Sequence, residues 1–347
     1  MVPRPPGVTT HTDTIPQDEN ARQPPIIRRV PTFRLPQRIQ ESIDRGIQLL
    51  RYEISARFVR VTVIANDQTG YMLQLERHDF TTGTAVTVIR SINAGGVAEN
   101  TNGPLEEVFM DPSIAYVLGY PIESLPDDCP IDRLIVHMLR PENAQLIYVM
   151  DMLTWHCSHV FEEKFRQREG RPLMRVNRFC VEFEGLFLSE ETLFTPFFAH
   201  MQANEVHFQA PRDQEHARRL KLVPTWTSPG FTTARKLTIE DGFYINLKWN
   251  TWMMFDEIRV TLNSLTSTHL RTMLTEWRAR DTFVSSRVRV LKSNWNSARL
   301  KSFFDEFPDD RVTITGSIFI YEDGLHVELH GIDIVFVAVD ADQPFAD

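Results

Sequence analysis

Between Val181 and Phe304 the chain repeats one phrase three times. Two apolar residues alternate, a further apolar residue follows seven positions after the first, and then come a helix-capping residue and two apolar residues at helical spacing. The copies read Val181, Phe183, Leu188, Ser189, Leu193, Phe197; Ile258, Val260, Leu265, Thr266, Leu270, Leu274; and Val288, Val290, Trp295, Asn296, Leu300, Phe304. A fainter copy runs Leu134, Val136, Pro141, Leu146, Met150. Alternation predicts a strand with one apolar face, and Ser, Thr or Asn supplies the acceptor that orphan N–H groups at a helix start require. The helix then returns its apolar stripe to the strand. One such unit cannot bury that stripe alone, so units must stack on one another.

The last two copies begin about 30 residues apart, a usual solenoid period. The gap between the copies at Val181 and Ile258 is longer and holds two strand-like segments, Glu205 to Gln209 and Ala234 to Ile239. The expected fold is therefore α/β: an irregular leucine-rich-repeat-like strand–helix solenoid over residues 131–306. An ordinary α/β sheet with right-handed crossovers fits the same residues and stays open as the alternative.

The flanks follow a different grammar. Residues 1–31 hold seven prolines among polar residues and are expected to be disordered. Within residues 32–56, the spacing of Ile39, Ile43, Ile47 and Leu50 predicts a short helix over Arg38 to Arg51. Residues 57–130 read as an antiparallel β unit, with strands at Phe58 to Val63, Tyr71 to Leu75 and Thr84 to Ile89 and a polar loop at 94–104. Residues 307–347 form a C-terminal β unit. In it Asp323-Gly324 separates two alternating runs, a strong hairpin signal, and Val335 to Val339 reads as a buried strand.

Composition narrows the function. The formal charge is −9, which argues against general nucleic-acid binding. No apolar run is long enough for a membrane span, and the N-terminus lacks the apolar core of a secretory signal. Three cysteines with no paired spacing read as reduced thiols of the cytoplasm or nucleus. Phosphate loops, nucleophile elbows and zinc-protease motifs are missing, so no enzyme activity and no cofactor are expected.

Two clusters bear on metal chemistry. His156, Cys157 and His159 do not match zinc spacing, and Cys157 continues the apolar stripe of Met150 and Leu153. His326, Glu328 and His330 alternate along one strand and read as a solvated face, with Leu325, Val327 and Leu329 turned inward. Glu190-Glu191 suits the first turn of a helix rather than acid–base work. Trp277 and Trp295 fall on core positions of the phrase.

The segment Met253 to Asn294 resembles the F-box-associated domain expanded in nematodes. It has a polar strand at Ile258 to Asn263, the turn Leu265-Thr266, a helix Leu270-x3-Leu274-x2-Trp277 and a second strand at Val288 to Lys292. The tail GSIFIYEDGLHVELHGIDIVFVAVD is similar to the closing β unit of that family. The resemblance implies a domain that recruits substrates for a cullin-type ubiquitin ligase. Family members begin with an F-box, which docks a Skp-type adaptor, and Leu35-Pro36 matches an F-box opening. Strands begin near Phe58, however, and about 20 residues cannot hold three packed helices. The expected function is thus a non-catalytic protein-binding module. A working ligase adaptor docked through Leu35 and Pro36 is the rival, and an unrecognised metal-dependent enzyme the third reading.

In strand–helix stacks the partner is met by strand residues facing away from the helices. Those positions are Arg133, His137, Glu182, His207, Thr238, Arg259, Thr261 and Arg289. Their mixed charge fits a protein target rather than nucleic acid or membrane.

Overall fold

The computed structural model describes residues 37–77, 85–92, 107–109, 114–142, 145–184, 190–209, 218–220, 227–240, 242–245, 254–291, 295–306, 312–315, 318–321, 325–330 and 333–338. The proline-rich stretch 1–31, Leu35-Pro36, the loop 94–104, Ser189, Asp323-Gly324 and the tryptophans Trp226, Trp249 and Trp252 lie outside the described residues.

The chain is a mixed α/β protein built on a single open sheet. Its central strands are β1 (Ile47–Ile54), β6 (Pro130–Met138), β7 (Met174–Phe183), β8 (Met201–Gln209), β10 (Lys236–Ile239), β12 (Glu257–Leu262) and β13 (Ser285–Val290). Each lies parallel beside the one before it. On the β1 side the sheet continues antiparallel through β2 (Phe58–Ala65), β3 (Gly70–Arg77), β4 (Ala85–Ile92) and β5 (Glu107–Phe109). Beyond β13 come β17 (Asp333–Ala338), β16 (Leu325–His330), β15 (Ile318–Tyr321) and β14 (Val312–Thr315), again antiparallel. Two short strands, β9 (Arg218–Leu220) and β11 (Phe243–Ile245), pair with each other, and Ile245 meets Leu262 of β12. One sheet thus runs through residues 57–130, 131–306 and 307–347 alike.

Helices link the parallel strands: α3 (Gln145–Gln167), α4 (Glu190–His200), α5 (Pro229–Thr232) and α6 (Ser267–Arg278), with α7 (Ser297–Glu306) following β13. Helix α2 (Ile114–Ser124) packs beside α3, held there by Arg168, whose guanidinium donates to the carbonyls of Ile122 and Leu125 and to Asp127. Among the described residues no helix is long and apolar enough to cross a membrane.

The expected helix over Arg38 to Arg51 is half right. Helix α1 (Gln37–Asp44) buries Ile39 and Ile43, but Gly46 at φ +134° ends it, a backbone state that favours glycine. Ile47 onward is β1, because Leu50, Tyr52 and Ile54 alternate inward and the strand satisfies hydrogen-bonding edges on both β2 and β6. Ile47 and Leu50 stand three residues apart, a helical spacing that β1 accommodates only through an irregularity between Ile47 and Leu49, which is why spacing alone misplaced them. The run Val335 to Val339 is not uniformly buried either. Ile334 and Phe336 join the core, whereas Val337 is 36% exposed, because β17 turns only one face to the helices.

Equivalent positions of the parallel strands form continuous rows. One buried row is Leu50, Leu134, Phe179, Val206, Leu237 and Ile258, ending at Ser286; the next is Tyr52, Val136, Val181, Phe208, Ile239, Val260 and Val288. Rings from α3 and α4 cover them: Phe197 lies 4.7–5.8 Å from Phe161, Phe165, Tyr52 and Phe179. Fully burying each such side chain contributes about 1.5–3 kcal/mol.

The turn positions of the recurring phrase also meet. Leu265 and Trp295 are both buried, and the Trp295 indole N–H donates to the Leu265 carbonyl at 3.0 Å. Thr266 caps α6 by accepting from the His269 amide, while His269 Nδ1 accepts from the Thr266 amide. Asn296 Oδ1 accepts from the Arg299 amide at the start of α7. Thr266→Ala should therefore cost about 0.5–2 kcal/mol. Leu270→Ala, which opens a cavity under α6, should cost about 2–5 kcal/mol. Urea unfolding of both variants checks this, and the reverse order would mean the helix is not anchored as described.

Candidate polar sheet face

The side of the parallel strands opposite Tyr52, Val136, Val181 and Val260 carries polar residues, also in rows. The first row is Leu49, Arg133, Arg178, Glu205, Lys236, Glu257 and Ser285. Within it Arg178 Nε donates to Glu205 at 2.7 Å, and Lys236 Nζ to Glu257 at 2.9 Å. The second row is Arg51, Ile135, Cys180, His207, Thr238, Arg259 and Arg287. The third holds Glu53, His137, Glu182 and Gln209 at one end and Thr261, Arg289 and Asp333 at the other.

All eight residues expected on the binding face lie in these rows, but they differ in exposure. Arg133 and Arg259 are exposed, and Glu182, His207, Thr238 and Arg289 are half-buried. His137 and Thr261, expected at the surface, are buried at 6% and 1% exposure. His137 is enclosed by long neighbours: Arg51 Nη2 lies 2.6 Å from Nδ1, and Nε2 lies 2.8 Å from Glu184 Oε1. An arginine can only donate, so Nδ1 accepts and Nε2–H donates to the carboxylate. Thr261 is a short side chain on an inner strand, with Arg289 of β13 as its register partner. Its hydroxyl has no hydrogen-bond partner among the described residues.

The two ends of the face differ in charge. Around His137 stand Glu53, Glu182 and Glu184, with Arg51 bridging to Glu182 at 3.4 Å and Arg60 to Glu53 at 3.4 Å. At the other end Asp333, nearly buried, accepts from both Arg287 and Arg289. Burial opposes the charged Asp333 carboxylate, but hydrogen bonds from Arg289 and Arg287 outweigh it and hold its pKa below the ordinary value. Arg51, Glu53, Glu184, Arg287 and Asp333 escaped sequence reasoning. Arg287 follows the alternation of Arg259 and was legible; Asp333 sits in an antiparallel strand whose pairing with β13 no local pattern announced.

The described residues hold no group of three or more His, Cys, Asp or Glu able to bind a metal. Cys157 is buried in α3, and burial pushes its thiol pKa up, while His156 and His159 are exposed. His326, expected on a solvated face, is buried at 6% exposure, because β16 lies between β15 and β17 and sets Ile320 and Val337 beside it in register. His330 is exposed and pairs with Glu328 at 2.7 Å.

Acid should act at the β2–β3 turn. Asp67 accepts from Thr69 and from Ser42 of α1, and these hydrogen bonds lower its pKa to about 2. The unfolded chain binds that proton near the ordinary value of about 3.9, so stability rises with pH across this window. The contribution is full above pH about 4 and lost as pH falls through about 2. Urea midpoints at stepped acid pH should fall less steeply for Asp67→Asn than for the parent; identical slopes would contradict it.

The architecture is that of a mixed α/β protein whose open sheet presents one face of cross-strand polar rows. No family model matches the chain, and no curated protein or solved structure matches it.

Proposed function

We propose that the chain is a non-catalytic protein-binding module, built as a stack of strand–helix units, that recruits a partner through this polar face. The observation carrying the proposal is the register. Seven parallel strands bring the same position of each into line, so side chains recur at one strand spacing, about 4.8 Å, and those in the three rows are polar except Leu49, Ile135 and Cys180.

A second regularity supports stacked units. At or near the start of each parallel strand come a buried residue, two more exposed ones and a buried one: Ile47 to Leu50, Ile131 to Leu134, Val176 to Phe179, Ala203 to Val206, Ala234 to Leu237, Phe255 to Ile258 and Phe283 to Ser286. Side chains at the first of the exposed positions join in a ladder, Asn204 to Asn177 at 3.2 Å and Asn177 to Asp132 at 3.0 Å. The resemblance to F-box-associated domains supports substrate recruitment as the purpose.

Affinity capture from native extract tests the reading. Reversing Arg178 to Glu on the polar face should release partners that the parent retains, since charge complementarity is inverted there. Reversing the exposed Glu162 of α3 to Lys should not. Thermal melts establish that both variants fold. Partners that survive the first change and are lost on the second would move the interface to the helices.

A further inference from the structure

We infer that the basic end of the polar face is a receptor for an acidic segment, rich in Asp or Glu, of the protein partner. This rests on the binding reading above and gives that partner its chemistry. Arg259 and Arg287 are register partners on adjacent parallel strands, which sets their backbones about 4.8 Å apart. Like charges so placed repel unless something lies between them. Arg259 is exposed and makes no ion pair among the described residues. Arg287 is held by its Nε and Nη2 on Asp333, leaves its other terminal nitrogen uncommitted among the described residues, and its side chain is 47% exposed.

Arg289 is fixed on the same carboxylate, Nε to Oδ1 at 2.8 Å and Nη2 to Oδ2 at 3.2 Å. Asp333 thus acts as an internal clamp. It orients two guanidiniums that would otherwise lose side-chain entropy on binding, and such preorganisation favours affinity. Two adjacent guanidiniums, one oriented and one without a counter-charge, match carboxylates arriving from outside, in the pairing Asp333 already makes from within. The excess is local: the chain as a whole carries −9, so a general attraction for polyanions is not what the face offers. Elsewhere on the face Arg133 and Arg178 are also register partners, with Arg178 held by Glu205, but there one carboxylate stands against two guanidiniums, whereas at the basic end one stands against three, so the excess positive charge is larger.

Fluorescence polarisation with the full chain tests the inference. The probes are a labelled peptide with a run of consecutive glutamates, the same peptide with glutamines, one with a phosphoserine in the run, and a single-stranded oligonucleotide. The glutamate peptide should bind, more weakly as salt is raised, and the glutamine peptide should not. Arg259→Gln should weaken binding roughly tenfold, the loss of one charge-assisted contact, with melting unchanged. Arg287→Gln, which also strips two hydrogen bonds from the buried Asp333, should weaken binding as much and melt lower, so its binding is read well below its own midpoint. Arg133→Gln should have no effect.

Equal loss in Arg133→Gln, tighter binding of the phosphoserine peptide or the oligonucleotide, or no binding of the glutamate peptide overturns the acidic receptor. If it is overturned while native partners are still lost on Arg178→Glu, the polar face stands and only its chemistry is wrong. Native partners that ignore both sets of changes remove the face as well.

Discussion

Phe197→Ala is expected to lower the unfolding free energy by about 3–5 kcal/mol, a large share of what a domain commonly has. The side chain is fully buried on α4, where its ring meets Phe161 and Phe165 of α3, Tyr52 of β1 and Phe179 of β7. Truncation removes transfer free energy and leaves a hole that four rings from three other elements cannot all close at once. Tyr148→Ala on α3, by contrast, removes a ring that is 72% exposed and should stay within about 0.5 kcal/mol. Urea denaturation of the two variants is the measurement. A loss below about 1 kcal/mol for Phe197 would mean that α3 and α4 do not share one core with the sheet.

The second large effect is at the phase of β12. Val260→Glu should cost more than about 4 kcal/mol and leave the chain largely unfolded, because a carboxylate would enter the row Ile239, Val260, Val288 with no partner. Arg259→Glu, one residue earlier and exposed, should change stability by no more than about 0.5 kcal/mol. Placing a negative charge opposite Arg287 even favours a small gain. Thermal melts of the pair decide. An unfolded Arg259→Glu beside a folded Val260→Glu would invert the strand and send the proposed face into the core.

Much of this core was legible in the residues. Val181, Phe183, Ile258, Val260, Val288 and Val290 alternate because a strand buries every second side chain, and all are buried. Thr266 and Asn296 were legible as caps because the need for an acceptor at a helix start is local. Where a strand breaks its own alternation, sequence misled. Ile47 and Leu50 stand at helical spacing, and both face the core of β1 only because the strand is irregular between Ile47 and Leu49 while β2 and β6 pair with it on either side.

The polar face shows the same division more sharply. Sequence by itself determined which strand residues point away from the helices, since alternation is a property of one chain segment and needs no neighbour. It picked Arg259 and Arg289 for that reason. Whether such a residue is exposed, enclosed or clamped depends on what the adjoining strands carry, and adjacency joins residues far apart in the chain. His137 is enclosed because Arg51 arrives from β1 and Glu184 follows β7. Arg287 and Arg289 are oriented because Asp333 arrives from β17, some 44 residues beyond Arg289. Those partners are set by strand order and register, which arise only when the whole sheet assembles, and so only the tertiary structure decided the charge and shape of the face.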